Sequence, residues 1–322
     1  MNAPVVSRGL LGIAALTVTC LPAAFGAVVE VDAAIKPYET VSGVSGSISS
    51  MGSDTLNDCM TFWAEGFKKR YPNVKIQIEA KGSGSAPTAL IAGTADFGPM
   101  SREIKKEEAD KFEAKFGYKP LGIKVAVDAL AVFVHKDNPL TSLTMEQVDG
   151  IFSATRKRGG VDIADWGVLL PAWQGKALSL YGRNSISGTY GFYKEHALKN
   201  GDFKAIVKEQ AGSSAVISGV AGDETGIGYS GIGYMTSGVK GLLIAEKGEP
   251  AAPTYENCLN GSYPLARFLY VYVNRAPGKA LEPKVAEFIK FVASKEGQEA
   301  VIKAGFFPLP PKSVDETHAA IK

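Results

Sequence analysis

Residues 74–98 read VKIQIEAKGSGSAPTALIAGTADFG, and this stretch indicates the fold class. Residues 74–78 alternate apolar and polar side chains as a strand does, and a turn rich in Gly and Ser follows. Pro87 then stands where the first turn of a helix tolerates proline. The next strand is predicted over residues 95–98. Strand, helix and strand in this order are typical of an α/β sheet.

The same alternation continues along the rest of the chain. A helix is predicted from residue 54 to the basic residues 68–70, because its apolar residues recur at helical spacing. Further helices are predicted over 103–119, 145–152 and 285–292. Strands are predicted over 123–127, 129–134, 178–181 and 268–273. The prolines in 308–311 (PLPP) are predicted to end regular secondary structure there. No linker rich in Ser, Gly or Pro separates two continuous halves. We therefore expect two lobes that share the chain discontinuously and are joined by strands near residues 125 and 265.

Composition and the N-terminus narrow the class of protein. The chain has 322 residues, is 45% hydrophobic and carries a formal net charge of +2, so it can bury a large core but lacks the basic excess that nucleic-acid binding requires. Arg8, a short apolar run and small residues through Ala27 are in the order of a secretory signal, so residues 1–27 are predicted to be a signal peptide. A lipoprotein would use Cys20, but residues 17–19 (TVT) place a threonine where a smaller residue is usual. We expect export to the periplasm, with secretion as an alternative.

Cys59 and Cys258 remain after removal of this leader. An even number in an oxidising compartment is compatible with one disulfide between them. Two separately buried thiols are the other alternative. No Cys-x-x-Cys spacing exists, so neither a metal nor a redox role has support.

Residues 183–189 read RNSISGT and lead into a predicted helix. Arg183 supplies a charged, bidentate hydrogen-bond donor close in sequence to the hydroxyl groups of Ser187 and Thr189. A helix start also offers free N–H groups and the positive end of the helix dipole, so the segment suits a tetrahedral anion. The alternative is an ordinary helix cap beside a surface arginine.

Two other predicted helices also begin with small hydroxyl residues, at 53–55 and 83–85. Each one alone is explained by ordinary capping. Three such starts, with Gly82, Gly84 and Gly188 allowing close backbone approach, fit one oxyanion surrounded by N–H and O–H donors. Ser101 and Arg102 come just after a predicted strand, where α/β sheets bind ligands.

These segments together resemble a known family. Residues 52–56 (GSDTL), 82–84 (GSG), 95–101 (ADFGPMS), 183–189 and 226–229 (GIGY) are similar to the periplasmic phosphate-binding protein of phosphate ABC transporters, and the similarity covers nearly all of the mature chain. The resemblance implies a two-lobed type II periplasmic binding protein of the α/β class, in which each lobe is a mixed sheet flanked by helices and two hinge strands join the lobes. Lobe 1 would comprise residues 28–125 and 266–322, and lobe 2 residues 126–265.

The resemblance also implies function and site residues. The protein would capture inorganic phosphate between its lobes and deliver it to the membrane subunits of an ABC permease, as a monomer without metal, cofactor or catalytic residues. Thr55 would contribute its hydroxyl and Leu56 its backbone N–H, and Ser83 would cap a second helix onto the anion. The resemblance also implies Arg183, Ser187, Gly188 and Thr189 as phosphate-binding residues. Ser101 is predicted to bind phosphate from its place after the strand, and the further candidates are Ser53, Asp54 and Arg102.

The chain departs from the family at two acidic positions. Many members carry an aspartate where Ser101 and Arg102 stand, and it accepts the proton of the bound phosphate. Another aspartate that pairs with the motif arginine in some members is Ser185 here. A carboxylate acceptor separates protonated phosphate from sulfate, because it can pair only with a ligand that still donates a proton. Asp54 is the candidate replacement.

Two other functions stay open. A secreted phosphatase would need a base beside Thr55 or a serine, and none is visible. The three histidines, His135, His196 and His318, show no metal-ligand spacing. An adhesive or appendage protein with this fold is the other alternative, since a fold does not determine function.

Overall fold

The structure is a computed structural model that describes residues 29–322, so the predicted signal peptide and Cys20 lie outside the described residues. The strands are β1 Gly46–Met51, β2 Val74–Glu79, β3 Gly98–Met100, β4 Leu121–His135, β5 Ser142–Thr144, β6 Ser179–Arg183, β7 Lys208–Gln210, β8 Gly226–Gly231, β9 Val239–Gly241, β10 Leu243–Ala245 and β11 Ala266–Val273. The helices are α1 Asn57–Arg70, α2 Ser85–Ala92, α3 Lys106–Phe116, α4 Met145–Phe152, α5 Gly188–His196, α6 Ser213–Ala221, α7 Tyr255–Leu259, α8 Pro283–Val292, α9 Lys295–Lys303 and α10 Pro311–Ala320. Within 29–322, no helix is long and apolar enough to span a bilayer.

The main sheet is mixed. Its seven strands include the series β3-β11-β4-β8-β6-β7, and β9 pairs with β4 outside that series. Strand β4 is antiparallel to β11 and β8, whereas β6 is parallel to β8 and β7. Two smaller parallel pairs are formed by β1 with β2 and by β5 with β10. The predicted α/β class is confirmed.

Strand β4 differs from its prediction. Two strands were expected over 123–127 and 129–134, but the structure has one strand, Leu121–His135. The charged residue between them, Asp128, does not interrupt the strand because Arg267 lies directly opposite on β11. The Arg267 Nε and Nη2 groups donate to Asp128 Oδ2 at 2.9 and 2.7 Å. This ion pair makes a charged position compatible with a buried strand.

Strands β4 and β11 connect two hydrophobic cores. The first core takes its residues from 38–126 and 269–321 and includes Trp63, Phe67 and Phe288. The second core takes its residues from 129–265 and includes Phe133 and Trp166. We call the parts of the chain around these cores the first and the second lobe. The exact lobe boundaries given above stay a prediction.

Three further elements differ from expectation. Helix α3 is shorter than predicted, because Glu108 accepts the N–H of Lys105 at its start and Gly117, with φ of 79°, ends it. Strand β3 begins at Gly98, since the carboxylate of Asp96 accepts the N–H of Ser49 just before it. The predicted stop at 308–311 also starts helix α10, where Pro311 takes the first position.

The two cysteines are free thiols. Cys59 is fully buried in the first core, whereas Cys258 is half-buried against the second core. Burial raises the pKa of both thiols, that of Cys258 to about 12. The disulfide that the sequence left possible is not formed, and the alternative of two separate thiols holds.

Candidate functional site

Four buried hydroxyl groups lie where the two lobes face each other. Thr55 Oγ1 of the first lobe is 2.9 Å from Thr189 Oγ1 of the second. Ser83 Oγ accepts the N–H of Ser101 at 3.0 Å, and the two serine Oγ atoms are 3.3 Å apart. None of these four residues is more than 1% exposed. We call Thr55, Ser83, Ser101 and Thr189 the hydroxyl cluster. These residues come from separate sequence segments, and the structure brings them together.

Gly188 brings the start of α5 against this cluster. The helix is capped by Ser187, whose Oγ accepts the N–H of Tyr190 at 3.4 Å. A Cβ atom at Gly188 would lie only 2.2 Å from Ser83 Oγ and 2.6 Å from Ser101 Oγ. The helix start of the second lobe therefore approaches the hydroxyl groups of the first lobe at a distance that only glycine allows.

We expect Gly188→Ala to weaken anion binding roughly tenfold or more, since overpacking costs about 1–3 kcal/mol. The φ of Gly188 is not positive, so alanine is compatible with the helical backbone there. We therefore expect the second lobe to keep its folding stability. Titration calorimetry with phosphate measures the effect, and thermal unfolding checks the stability. Gly191→Ala is the matched control, because its Cβ would meet only the flexible Arg102 side chain, at 3.2 Å. Equal affinity of Gly188→Ala and the unaltered protein would show that the close approach is not needed.

Arg183 ends strand β6 and is 2% exposed. Its Nη1 donates to Ser213 Oγ at 2.6 Å, and its Nη2 donates to the carbonyl of Ala211 at 3.1 Å. Its Nε is buried and has no hydrogen-bond partner among the described residues. Burial lowers the pKa of Arg183 and the nearby Asp54 charge opposes this, but an arginine stays protonated in either case. The Nε–H of Arg183 is thus a charged donor that no described residue uses.

A second guanidinium, that of Arg267, stands next to the hydroxyl cluster. Its Nη1 donates to the carbonyl of Ser101 at 2.7 Å, and its Nη2 donates to Thr189 Oγ1 at 3.0 Å. Arg267 therefore contacts both lobes from strand β11. Because Thr189 Oγ1 accepts this bond, its own O–H remains available as a donor.

Asp54 lies beside Arg183. Its Oδ2 is 3.2 Å from Arg183 Nη1 and accepts the N–H of Ser213 at 2.9 Å. Its backbone carbonyl accepts the hydroxyl of Tyr234 at 3.0 Å. The role of Asp54 as acceptor of a ligand proton stays a prediction.

Other predicted residues lie elsewhere or are already engaged. Arg102 is held by both carboxylate oxygens of Glu108, at 2.8 and 2.7 Å, and lines a cleft of about 590 Å³ that Arg267 also lines. The N–H of Leu56 donates to the carbonyl of Ser53 at 3.3 Å, and the N–H of Ser53 donates to that of Pro99. The Arg102 guanidinium is therefore already paired with Glu108, and the Ser53 and Leu56 N–H groups are used within the first lobe.

The segment 82–84 plays a different part from the expected one. Ser83 does not cap helix α2, whose N-cap is Gly84. The Gly84 N–H donates to the carbonyl of Ile186 in the second lobe at 3.0 Å, and a Cβ at Gly82 would lie 2.9 Å from that oxygen. These glycines thus permit close approach of the other lobe at Ile186.

Comparisons with known proteins agree with this geometry. A sequence model of a PBP superfamily domain matches residues 38–296. The phosphate-binding protein PstS of Pseudomonas aeruginosa is 55% identical over 299 residues, which are 91% of this chain and 92% of that protein. The chain belongs to the PstS family. Another PstS, from Staphylococcus saprophyticus, is 31% identical over 281 residues, covering 86% of this chain and 84% of that protein.

Solved structures extend the comparison. A Clostridium perfringens protein assigned as a phosphate ABC transporter substrate-binding protein, solved with bound phosphate, aligns with a TM-score of 0.71 and 26% identity. The alignment covers 82% of this chain and 100% of that chain. The two-lobed type II fold expected for a PstS-family chain is confirmed.

The sequence reasoning missed the residues that support the cluster, namely Asp128, Ser213, Tyr234 and Arg267. Ser213 follows Gly212 at a helix start, so it repeats the pattern of the three selected starts and could have been found by the same signal. Asp128 and Arg267 are opposite charges inside two apolar strand segments, which is a second usable signal. Tyr234 has no comparable signal.

Proposed function

We propose that the chain is an exported solute-binding protein that captures inorganic phosphate between its lobes and delivers it to the permease of an ABC transporter. The phosphate-binding residues are proposed to be Thr55, Ser83, Ser101, Arg183, Ser187, Gly188 and Thr189. The names of the relatives support the ligand and the transport role. We further propose that the mature protein works in the periplasm as a monomer.

One observation carries the proposal. The hydroxyl cluster is buried between the lobes, and Arg183, which pairs with Asp54 next to Thr55 in the chain, has an Nε that is a charged donor without a partner among residues 29–322. A buried charged donor without an acceptor is costly, and an oxyanion would supply that acceptor. Hydroxyl groups from both lobes can then surround the same anion, so ligand binding and lobe closure favour each other.

Phosphate-stripped protein is expected to bind inorganic phosphate in a one-to-one complex with a Kd in the micromolar range or below. Protein released from endogenous ligand by unfolding and refolding is titrated in a calorimeter with phosphate, arsenate and sulfate. Small-angle scattering, before and after saturation, reports whether the molecule becomes more compact. No binding at millimolar phosphate would contradict the proposed function.

This function requires no covalent chemistry. In the described part of the chain, the Thr55 hydroxyl has another hydroxyl, that of Thr189, as its hydrogen-bond partner and no histidine or carboxylate that could take its proton. No group of three or more His, Cys, Asp or Glu residues in 29–322 is arranged to hold a metal ion. No contact of these residues favours the phosphatase or the adhesive alternative.

A further inference from the structure

Asp54 connects the two lobes next to the proposed anion site. It opens a short 3-10 turn, Asp54–Leu56, and Leu56 is buried in the first core. Its Oδ2 accepts the N–H of Ser213, the first residue of α6, and α6 packs into the second core through Ile217 and Val220. The hydrogen bond therefore links the start of a helix in one lobe to a carboxylate of the other.

Helix α6 has no cap of its own. Its N-cap residue is Gly212, which has no side chain to accept the free N–H groups. A carboxylate at a helix start satisfies one of these groups and is favoured by the helix dipole. The Asp54 carboxylate occupies this position, so the second lobe receives its missing cap from the first lobe.

The same contact also positions Arg183. Arg183 Nη1 donates to Ser213 Oγ at 2.6 Å and lies 3.2 Å from Asp54 Oδ2. The Nη2 group is held by the carbonyl of Ala211, so the guanidinium is fixed from its Nη side while Nε has no partner among residues 29–322. Separation of the lobes would remove Asp54 from this arrangement.

We infer that Asp54 is an interlobe latch, a positioning residue that caps α6 and orients Arg183 only when the lobes close. The inference rests on the proposed function, and it assigns to Asp54 a role in closure. The competing role, acceptance of a proton from the ligand, becomes an outcome of the test.

Gly212 provides an independent way to disturb the latch. A Cβ atom there would lie 3.1 Å from Asp54 Oδ1, while the Gly212 φ of −134° is open to any residue. Gly212→Ala therefore crowds the Asp54 carboxylate without straining the second lobe.

The test compares Asp54→Ala, Gly212→Ala and the double variant, because asparagine could still accept the Ser213 N–H and cap the helix. Asp54→Asn is measured as well, to detect a role in recognition of the ligand proton. We expect Asp54→Ala and Gly212→Ala each to weaken phosphate and arsenate binding by the same factor, about tenfold, through faster dissociation with little change in association. The double variant should bind about as weakly as the weaker single variant, because both changes break one contact. Calorimetry and stopped-flow kinetics measure these effects, and fluorescence transfer between labels on the two lobes measures closure directly.

Asp58→Ala is the matched control. It removes the same charge near the start of α1, and the Asp58 side chain makes its hydrogen bond with its neighbour Asn57. This variant should bind like the unaltered protein.

Two results would overturn the latch. Affinity of Asp54→Ala within twofold of the unaltered protein, with the same interlobe distance, would show that the contact has no role. A gain of sulfate binding in Asp54→Asn, with phosphate dissociation unchanged, would assign Asp54 to ligand-proton recognition instead. If the unaltered protein binds no phosphate, the proposed function is wrong. The distance between the labels on the two lobes, compared among the variants, still tests the role of Asp54 in closure.

Discussion

Replacement of Arg183 by alanine is expected to weaken phosphate binding at least tenfold, and by about a hundredfold at the upper end of charged hydrogen-bond energies. Arg183 is 2% exposed and supplies a charged donor that no other described residue uses. Its loss also leaves the Asp54 carboxylate without its ion-pair partner. Titration calorimetry of stripped protein measures the change in affinity.

The matched control for this experiment is Arg158→Ala. Arg158 lies in the second lobe, its side chain is 10% exposed, and it is held by Glu246 and the carbonyl of Ala197. It has no contact with the hydroxyl cluster, so its replacement removes the same charge without touching the proposed site. Unchanged phosphate affinity of Arg183→Ala, or an equal loss in both variants, would contradict the assigned role of Arg183.

The residues of the proposed anion site could be selected from the sequence because each lies in a short, local sequence pattern. Residues 183–189 place a guanidinium, three hydroxyl groups and a glycine within one turn and a helix start, and the structure begins helix α5 at Gly188 with Ser187 as its cap. Thr55 and Ser83 lie at equally local Gly/Ser segments. Local chain geometry brings such groups together before any tertiary contact forms.

The supporting contacts were not accessible, because they depend on how distant elements pair. Asp54 meets Ser213 across 159 positions, and the partner follows from lobe placement. The segment 82–84 shows the same limit: its glycines indicated a close approach, but not that the approaching group is Ile186. Arg102 is a different case, because the Glu108 that holds its side chain is only six residues away in the chain.

Replacement of Asp128 by asparagine is expected to lower the free energy of unfolding by about 3–5 kcal/mol, the usual result of breaking a buried ion pair from one side. The side chains of Asp128 and Arg267 are 0% and 2% exposed, so the remaining guanidinium would be buried without a counter-charge. The Ile232 N–H, which donates to Asp128 Oδ1 at 3.2 Å, would also have a weaker acceptor. Urea unfolding followed by circular dichroism measures the loss.

The double variant Asp128→Asn with Arg267→Met separates a charge effect from a packing effect. If the loss arises from an unpaired charge, removal of Arg267 should restore much of the stability, because a buried pair and an apolar replacement are often similar in free energy. Arg267→Met should still weaken phosphate binding, since the guanidinium holds Thr189 Oγ1 and the Ser101 carbonyl. Asp137→Asn, on an exposed ion pair just beyond the same strand, should change stability little. A double variant whose loss equals the sum of two large single losses would instead mean that packing around β4 and β11, and not the buried charge, is what the pair maintains.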